Sequence, residues 1–155
     1  MTRWATGAEQ IMAMLADGEL EQVAPSPQNA ARLLAEADRH LRSAALLAPD
    51  DPAGAYDMLY AAARKAMAAA LAVQGLRSTS KGGHMAVQEA VTHQLGATGS
   101  VVRPFGRLRR TRNDADYPRL DSPELTPDDI DEDLPKARQI VDAMGALLPH
   151  LAPWR

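Results

Sequence analysis

The segment RLRRTRNDADYP, residues 107–118, places four arginines within six residues and follows them with Asn113, two acids and the pair Tyr117–Pro118. A guanidinium group matches phosphate oxygens with two parallel N–H donors. A cluster of this kind can therefore bind phosphate, RNA or a nucleotide. The same residues can also form a solvated helix face or an ion-paired joint between helices. Arginine outnumbers lysine 14 to 3 in an alanine-rich chain, as a GC-rich coding bias would produce, so arginine content alone says little. Clustering says more, because six of the 14 lie between Arg103 and Arg119.

On a helix turning 100° per residue, Phe105, Leu108, Arg109, Arg112 and Asp116 share one side, with Arg107, Arg110 and Asp114 on the other. Arg107 and Arg110 thus read as ordinary solvated charges. Arg112 lies beside the apolar anchors and needs a partner, which Asp116, one turn on, can supply. Arg before Asp is the weaker order for such a pair, and an acid near a helix C-terminus opposes the dipole. Helix stability is thus a poor reason for the pair, and a tertiary or intersubunit contact is a better one. Tyr117 ends the helix with a phenol able to donate or accept.

Elsewhere the chemistry is sparse. None of His40, His84, His93 and His150 stands at a metal-ligand spacing, so neither a metal nor a cofactor is expected. His84, which follows Gly82–Gly83 at a helix start, can bond backbone or bring a polar group towards Arg112. Lys81–Gly82–Gly83 lacks the P-loop pattern, and no serine sits in a nucleophile elbow. Met12, Met14, Met58, Met67, Met85 and Met144 read as core filler.

The elements that must hold these residues are helices. Thr6 and Glu9 have the spacing of a capping box ahead of a helix from Ile11 to about Leu20. Ser26 caps a second helix, from about Pro27 to Leu47, on which Asp38 and Arg42 make a favourable pair. Asp51–Pro52 starts the third, to Gln74, whose wide apolar stripe of Tyr56, Leu59, Tyr60, Ala63, Met67, Ala70 and Leu71 marks it as central, with Gly75 as its stop. A loop at 78–83, a helix from His84 to Leu95, a loop at 96–100 and a fifth helix ending before Pro118 follow. Thr126–Pro127 opens a last helix, and Pro135 inside it predicts a kink or two segments. Residues 121–133 carry seven acids and no base, read as capping and solvating that helix start.

The 155 residues suit one domain, 1–155, with residues 1–24 as an added N-terminal helix and 27–148 as the bundle core. Hydrophobic residues make up 46% but aromatics only 4%, favouring an all-α, up-and-down bundle of five to six helices. A net charge of −3 gives no general case for nucleic-acid or membrane binding. Without cysteines there is no disulfide framework. Neither a signal-type N-terminus nor a spanning apolar run is apparent, so a cytoplasmic location is expected.

Arg112–Asn113 near the end of a late helix, after AYDMLYAAARKAMAAALAVQGLR and GGHMAVQEAV, resembles the HEPN family of small α-helical proteins, in the layout of an actinobacterial branch. The likeness spans roughly Ala30 to Leu148. It implies a homodimeric helical bundle. RNA-cleaving members use an Arg followed by a polar residue and then a His four to six positions on, with two such motifs meeting across the dimer as one metal-independent ribonuclease site. Arg112 matches the Arg and Asn113 the polar residue. Tyr117 stands where the His belongs, and the longer spacings fall on Pro118 and Arg119. A neutral phenol is a poor base at pH 7. The expectation is therefore an RNA- or nucleotide-directed protein with weak or lost cleavage at Arg112, Asn113 and Tyr117, assisted by Arg109, Arg110, Asp116 and His84. A toxin–antitoxin or defence setting, with a nucleotidyltransferase-like or antitoxin partner, follows from the same likeness. The alternative is a non-catalytic dimeric interaction bundle.

Overall fold

The computed structural model describes residues 4–154. Within them the chain is an all-α bundle: α1 Ala8–Ala16, α2 Pro27–Leu47, α3 Pro52–Gln74, α4 Gly83–Leu95, α5 Pro104–Asp116 and α6 Pro127–Leu147. Two three-residue strands, β1 Leu20–Gln22 and β2 Leu76–Ser78, pair antiparallel with Glu21 opposite Arg77. None of the helices is long and apolar enough to cross a membrane.

Local chemistry sets the main boundaries. Ser26 accepts a hydrogen bond from the Asn29 N–H at 3.1 Å, and Asp51 accepts from the Gly54 N–H at 3.0 Å, each immediately before a proline at the first helical position. Gly75 ends α3 at φ 79°, a left-handed conformation in which a Cβ would also strike the Val23 carbonyl oxygen at 2.6 Å. At α6 the Asp129 carboxylate accepts from the Thr126 N–H at 2.8 Å.

α3 is the axis of the bundle, packed on α2, α4, α5 and α6. Tyr56, Leu59, Ala62, Ala63, Ala66 and Met67 are all fully buried, so α3 is enclosed nearly all round. Its small alanines let neighbouring helices approach closely. α2 runs antiparallel to α3, with Lys65 Nζ bonding Glu36 and His40 at 2.9 Å each. α6 runs alongside α3 in the same sense: Tyr56 meets Asp133 near one end, and the Trp154 N–H reaches the Gln74 carbonyl at the other.

Several sequence expectations are corrected. α1 begins at Ala8 with Gly7, at φ 73°, as its N-cap, and no side-chain cap from Thr6 forms. It stops at Ala16, and Leu20 enters β1 instead, because β2 offers it a strand partner. Ser78 belongs to β2, and 96–102 is a 3-10 turn. α6 continues through Pro135 as one helix. That proline is exposed, where its ring meets no neighbouring helix and the Asp131 carbonyl it leaves without a donor can reach water. Met12 and Met85 are exposed rather than core filler, at 46% and 59%.

Candidate functional site

α5 is seated by Phe105 and Leu108, both fully buried. The Tyr60 ring of α3 stacks on Phe105, with centroids 5.1 Å apart and planes 22° apart. Tyr60 is thereby held rigidly, and two polar groups converge on it. The Arg112 guanidinium lies over its ring, 5.2 Å from the centroid. Its phenol meets His84 Nδ1 at 2.5 Å.

His84 reaches Tyr60 because of the turn that precedes it. The Gly82 backbone presses against the Glu19 carbonyl and Ala86, and a Cβ there would lie 2.6 Å from the Ala86 methyl. Thr79 and Lys81 tie the same loop down, Thr79 through its N–H to the Glu19 carbonyl and its hydroxyl to the Gly18 carbonyl, Lys81 to the Asp17 carbonyl. The start of α4 and one face of α5 then enclose a shallow concavity of about 340 Å³, lined by Tyr60, His84, Arg109, Asn113 and the Gly82–Gly83 backbone.

The electrostatics of this region are uneven. Arg112 Nε lies 3.2 Å from Asp116 Oδ2 and 3.5 Å from Asp57 Oδ1. These are charge contacts and not aligned hydrogen bonds, since the buried Nε has no partner in bonding geometry. Arg112 is thus flanked by two carboxylates. Arg109, one turn earlier, has a buried Nε with no hydrogen-bond partner and no carboxylate within 4.0 Å among the described residues. Burial pushes the His84 imidazole below its ordinary pKa, with the Arg64 and Arg112 charges acting in the same direction. Burial also raises the Tyr60 phenol, which stays protonated. Asp57 is raised by burial and by Asp116, against the pull of Arg112.

Comparison with protein-family models, curated proteins and solved structures gives no match.

Of the residues singled out in the sequence, Arg109, Asn113 and His84 meet at the concavity, with the Arg112–Asp116 pair beside them. Arg110 is exposed and does not line it. Tyr117 is the C-cap of α5, 82% exposed, with its backbone N–H on the Asn113 carbonyl and no hydrogen bond from its phenol among the described residues. Tyr60, Asp57 and Arg64 were not picked out as site residues. Tyr60 was visible only as part of the apolar stripe of α3, although a tyrosine among alanines carries a polar tip that must find a partner. Among the described residues no group of three or more acidic or histidine side chains is placed to hold a metal ion.

Arg107 is exposed, as expected, but it is not merely solvated: it bonds the buried Asp133 through Nε at 3.2 Å and contacts Glu132 at 3.3 Å. Asp133 also accepts from the Tyr56 hydroxyl at 2.7 Å and from Lys136 at 2.7 Å. Burial alone would raise the Asp133 carboxyl, but the bonds from Lys136, Tyr56 and Arg107 outweigh it and hold the group below the ordinary aspartate value.

Proposed function

We propose that the chain is a HEPN-like, RNA- or nucleotide-directed bundle that takes a phosphate at Arg109, Asn113 and Arg112. The observation that carries this is Arg109. A half-buried guanidinium without a counter-ion is costly in a free protein, and a phosphate on the open side of the concavity would complete it with charge-assisted bonds. Asn113 adds an amide donor, and Arg110 is a secondary contact from the exposed side. Because Arg112 is already flanked by Asp57 and Asp116, its pull on a phosphate is weaker than that of Arg109. Tyr117 takes the place of the motif histidine, and an imidazole is the side chain suited to carrying protons near pH 7, so cleavage through that position is weak or lost.

In this reading the protein is a two-fold homodimer with α5 near its symmetry mate, acting in the cytoplasm in a toxin–antitoxin or defence pair with a nucleotidyltransferase-like or antitoxin protein. Sedimentation as a monomer at about 10–100 μM would contradict the dimer. For the site, a labelled single-stranded RNA is titrated with wild type, Arg109→Ala and Arg112→Ala at two salt concentrations. Affinity should fall with salt, and more with Arg109→Ala than with Arg112→Ala. If wild type does not bind, or both variants bind as well as wild type, the site reading fails. The non-catalytic interaction bundle then replaces it, a reading favoured by the full exposure of Leu120 and the exposed Tyr117 just beyond α5.

A further inference from the structure

The concavity contains an acid–base group that the Arg112–Asn113–Tyr117 motif does not include. His84 is fixed at Nδ1 by Tyr60, while its Nε2 has no partner among the described residues. Nε2 is also absent from the buried atoms left without a bond, so it is reached by solvent, on a residue that lines the concavity. Tyr60 is in turn stacked on Phe105 and covered by Arg112, so the ring that orients His84 is itself immobilised. Arg109, which has no carboxylate within 4.0 Å among the described residues, lines the same concavity.

We propose that His84 is the proton-carrying residue of this site, with Tyr60 as its positioning residue and Arg109 as the cation that holds the reacting phosphodiester of an RNA strand. The inference rests on the RNA-directed reading above and goes beyond it by assigning the chemistry to α4.

The neutral ring suits the task. Burial, then Arg64 and Arg112, depress its pKa, and the groups facing it are Tyr60 and Arg64 from α3 and Arg109 and Arg112 from α5. The role calls for the tautomer in which Nδ1–H donates to the Tyr60 oxygen and Nε2 carries the lone pair, and the same bond persists in the imidazolium. Nε2 takes the proton of a ribose 2′-hydroxyl. The 2′-oxygen bonds to the neighbouring phosphorus as the P–O5′ bond breaks, and O5′ keeps that electron pair. The imidazolium then returns its proton to O5′. The products are a 2′,3′-cyclic phosphate end and a 5′-hydroxyl end, the imidazole is regenerated and no co-reactant is consumed. Arg109 counters the charge that builds on the phosphoryl oxygens.

The test uses the full chain, a labelled single-stranded RNA for cleavage and the 2′-O-methylated strand of the same sequence for binding. Wild type should cleave slowly and leave 2′,3′-cyclic phosphate ends, identified by mass spectrometry. Its rate should fall on the acid side with a midpoint below 6.5, the ordinary histidine value. His84→Asn should lower the rate about 100-fold or more while binding the methylated strand within about threefold of wild type. His93→Asn, whose ring lies at the other end of α4 beside Glu89, should cleave as wild type does. Tyr60→Phe keeps the stacked ring but frees the imidazole, so it should move the acid midpoint and lower the rate about tenfold, within the range of a lost positioning bond. If His84→Asn does not fold, Tyr60→Phe and the wild-type pH profile decide. Wild type that binds the strand but never cleaves, or His84→Asn cleaving as wild type does, overturns the assignment of His84 and leaves the binding reading standing. Wild type that binds neither strand overturns both.

Discussion

Arg107 and Arg109 are two residues apart on one helix, and they occupy opposite kinds of site. Arg107 meets a carboxylate that is 1% exposed and already bonded to Tyr56 and Lys136, so every charge in that cluster is matched. Arg109 has a buried nitrogen with no bond and no acid within reach among the described residues. The first arrangement joins α3, α5 and α6 and is complete in the unliganded protein. The second is incomplete as it stands. Placing both on α5 means that the joint fixes the helix whose opposite side presents the open cation. A charge inside a protein therefore carries functional information mainly when its matching partner is missing.

The contrast can be broken most strongly at the joint. Asp133→Ala should remove about 3 kcal/mol of stability, because it leaves the buried Tyr56 hydroxyl without its acceptor and Arg107 and Lys136 with Glu132 alone, measurable by urea unfolding. Next comes the open site. Arg109→Met should weaken RNA binding by about 1.5–3 kcal/mol, the range for a bond to a charged group. It should leave unfolding stability unchanged or raise it slightly, since an unmatched cation is removed. A stability loss matching that of Asp133→Ala would mean that Arg109 has a structural partner after all. Acid supplies a third comparison. The Asp133 pKa is depressed in the folded state, so its contribution is full above the ordinary aspartate value of 3.8 and is lost as pH falls from there through the folded value. Asp133→Asn should flatten that part of the stability–pH curve. The smallest effect belongs to Arg110→Ala, exposed beside both, which should shift unfolding by no more than about 0.5 kcal/mol.

Much of the bundle was legible because its boundaries are local. Pro27, Pro52, Gly75 and Pro118 each act within a turn of their own position, and the apolar stripe of α3 needs no distant information. The sheet was not legible. Leu20–Gln22 and Leu76–Ser78 are too short to show alternation, and each is a strand only because the other is there. Asp133 was hidden for a related reason: among seven acids it looked like solvating charge, and its Tyr56 partner lies 77 residues away. Its position three residues after Ile130 and four before Ala137, both buried, was the available sign that it faces inward. At the site, Arg112 and Asp116 share one helix, and their pairing could be read from spacing. Asp57, Tyr60 and His84 converge from α3 and α4, and no spacing within α5 encodes them.

The loop tying Thr79 and Lys81 to residues 17–19 has a consequence for the order in which the molecule can assemble. Those bonds span about sixty residues, and they close a ring of chain that contains all of α2 and α3. A nascent chain emerging from the ribosome can form the α2–α3 hairpin early, since its contacts are near in sequence. The 17–19 segment, although made first, must wait for residue 81 before it has anything to hold. The turn that aims His84 can thus be finished only once all of α2 and α3 has been made. Premature assembly of this corner on a half-made chain is excluded by connectivity alone.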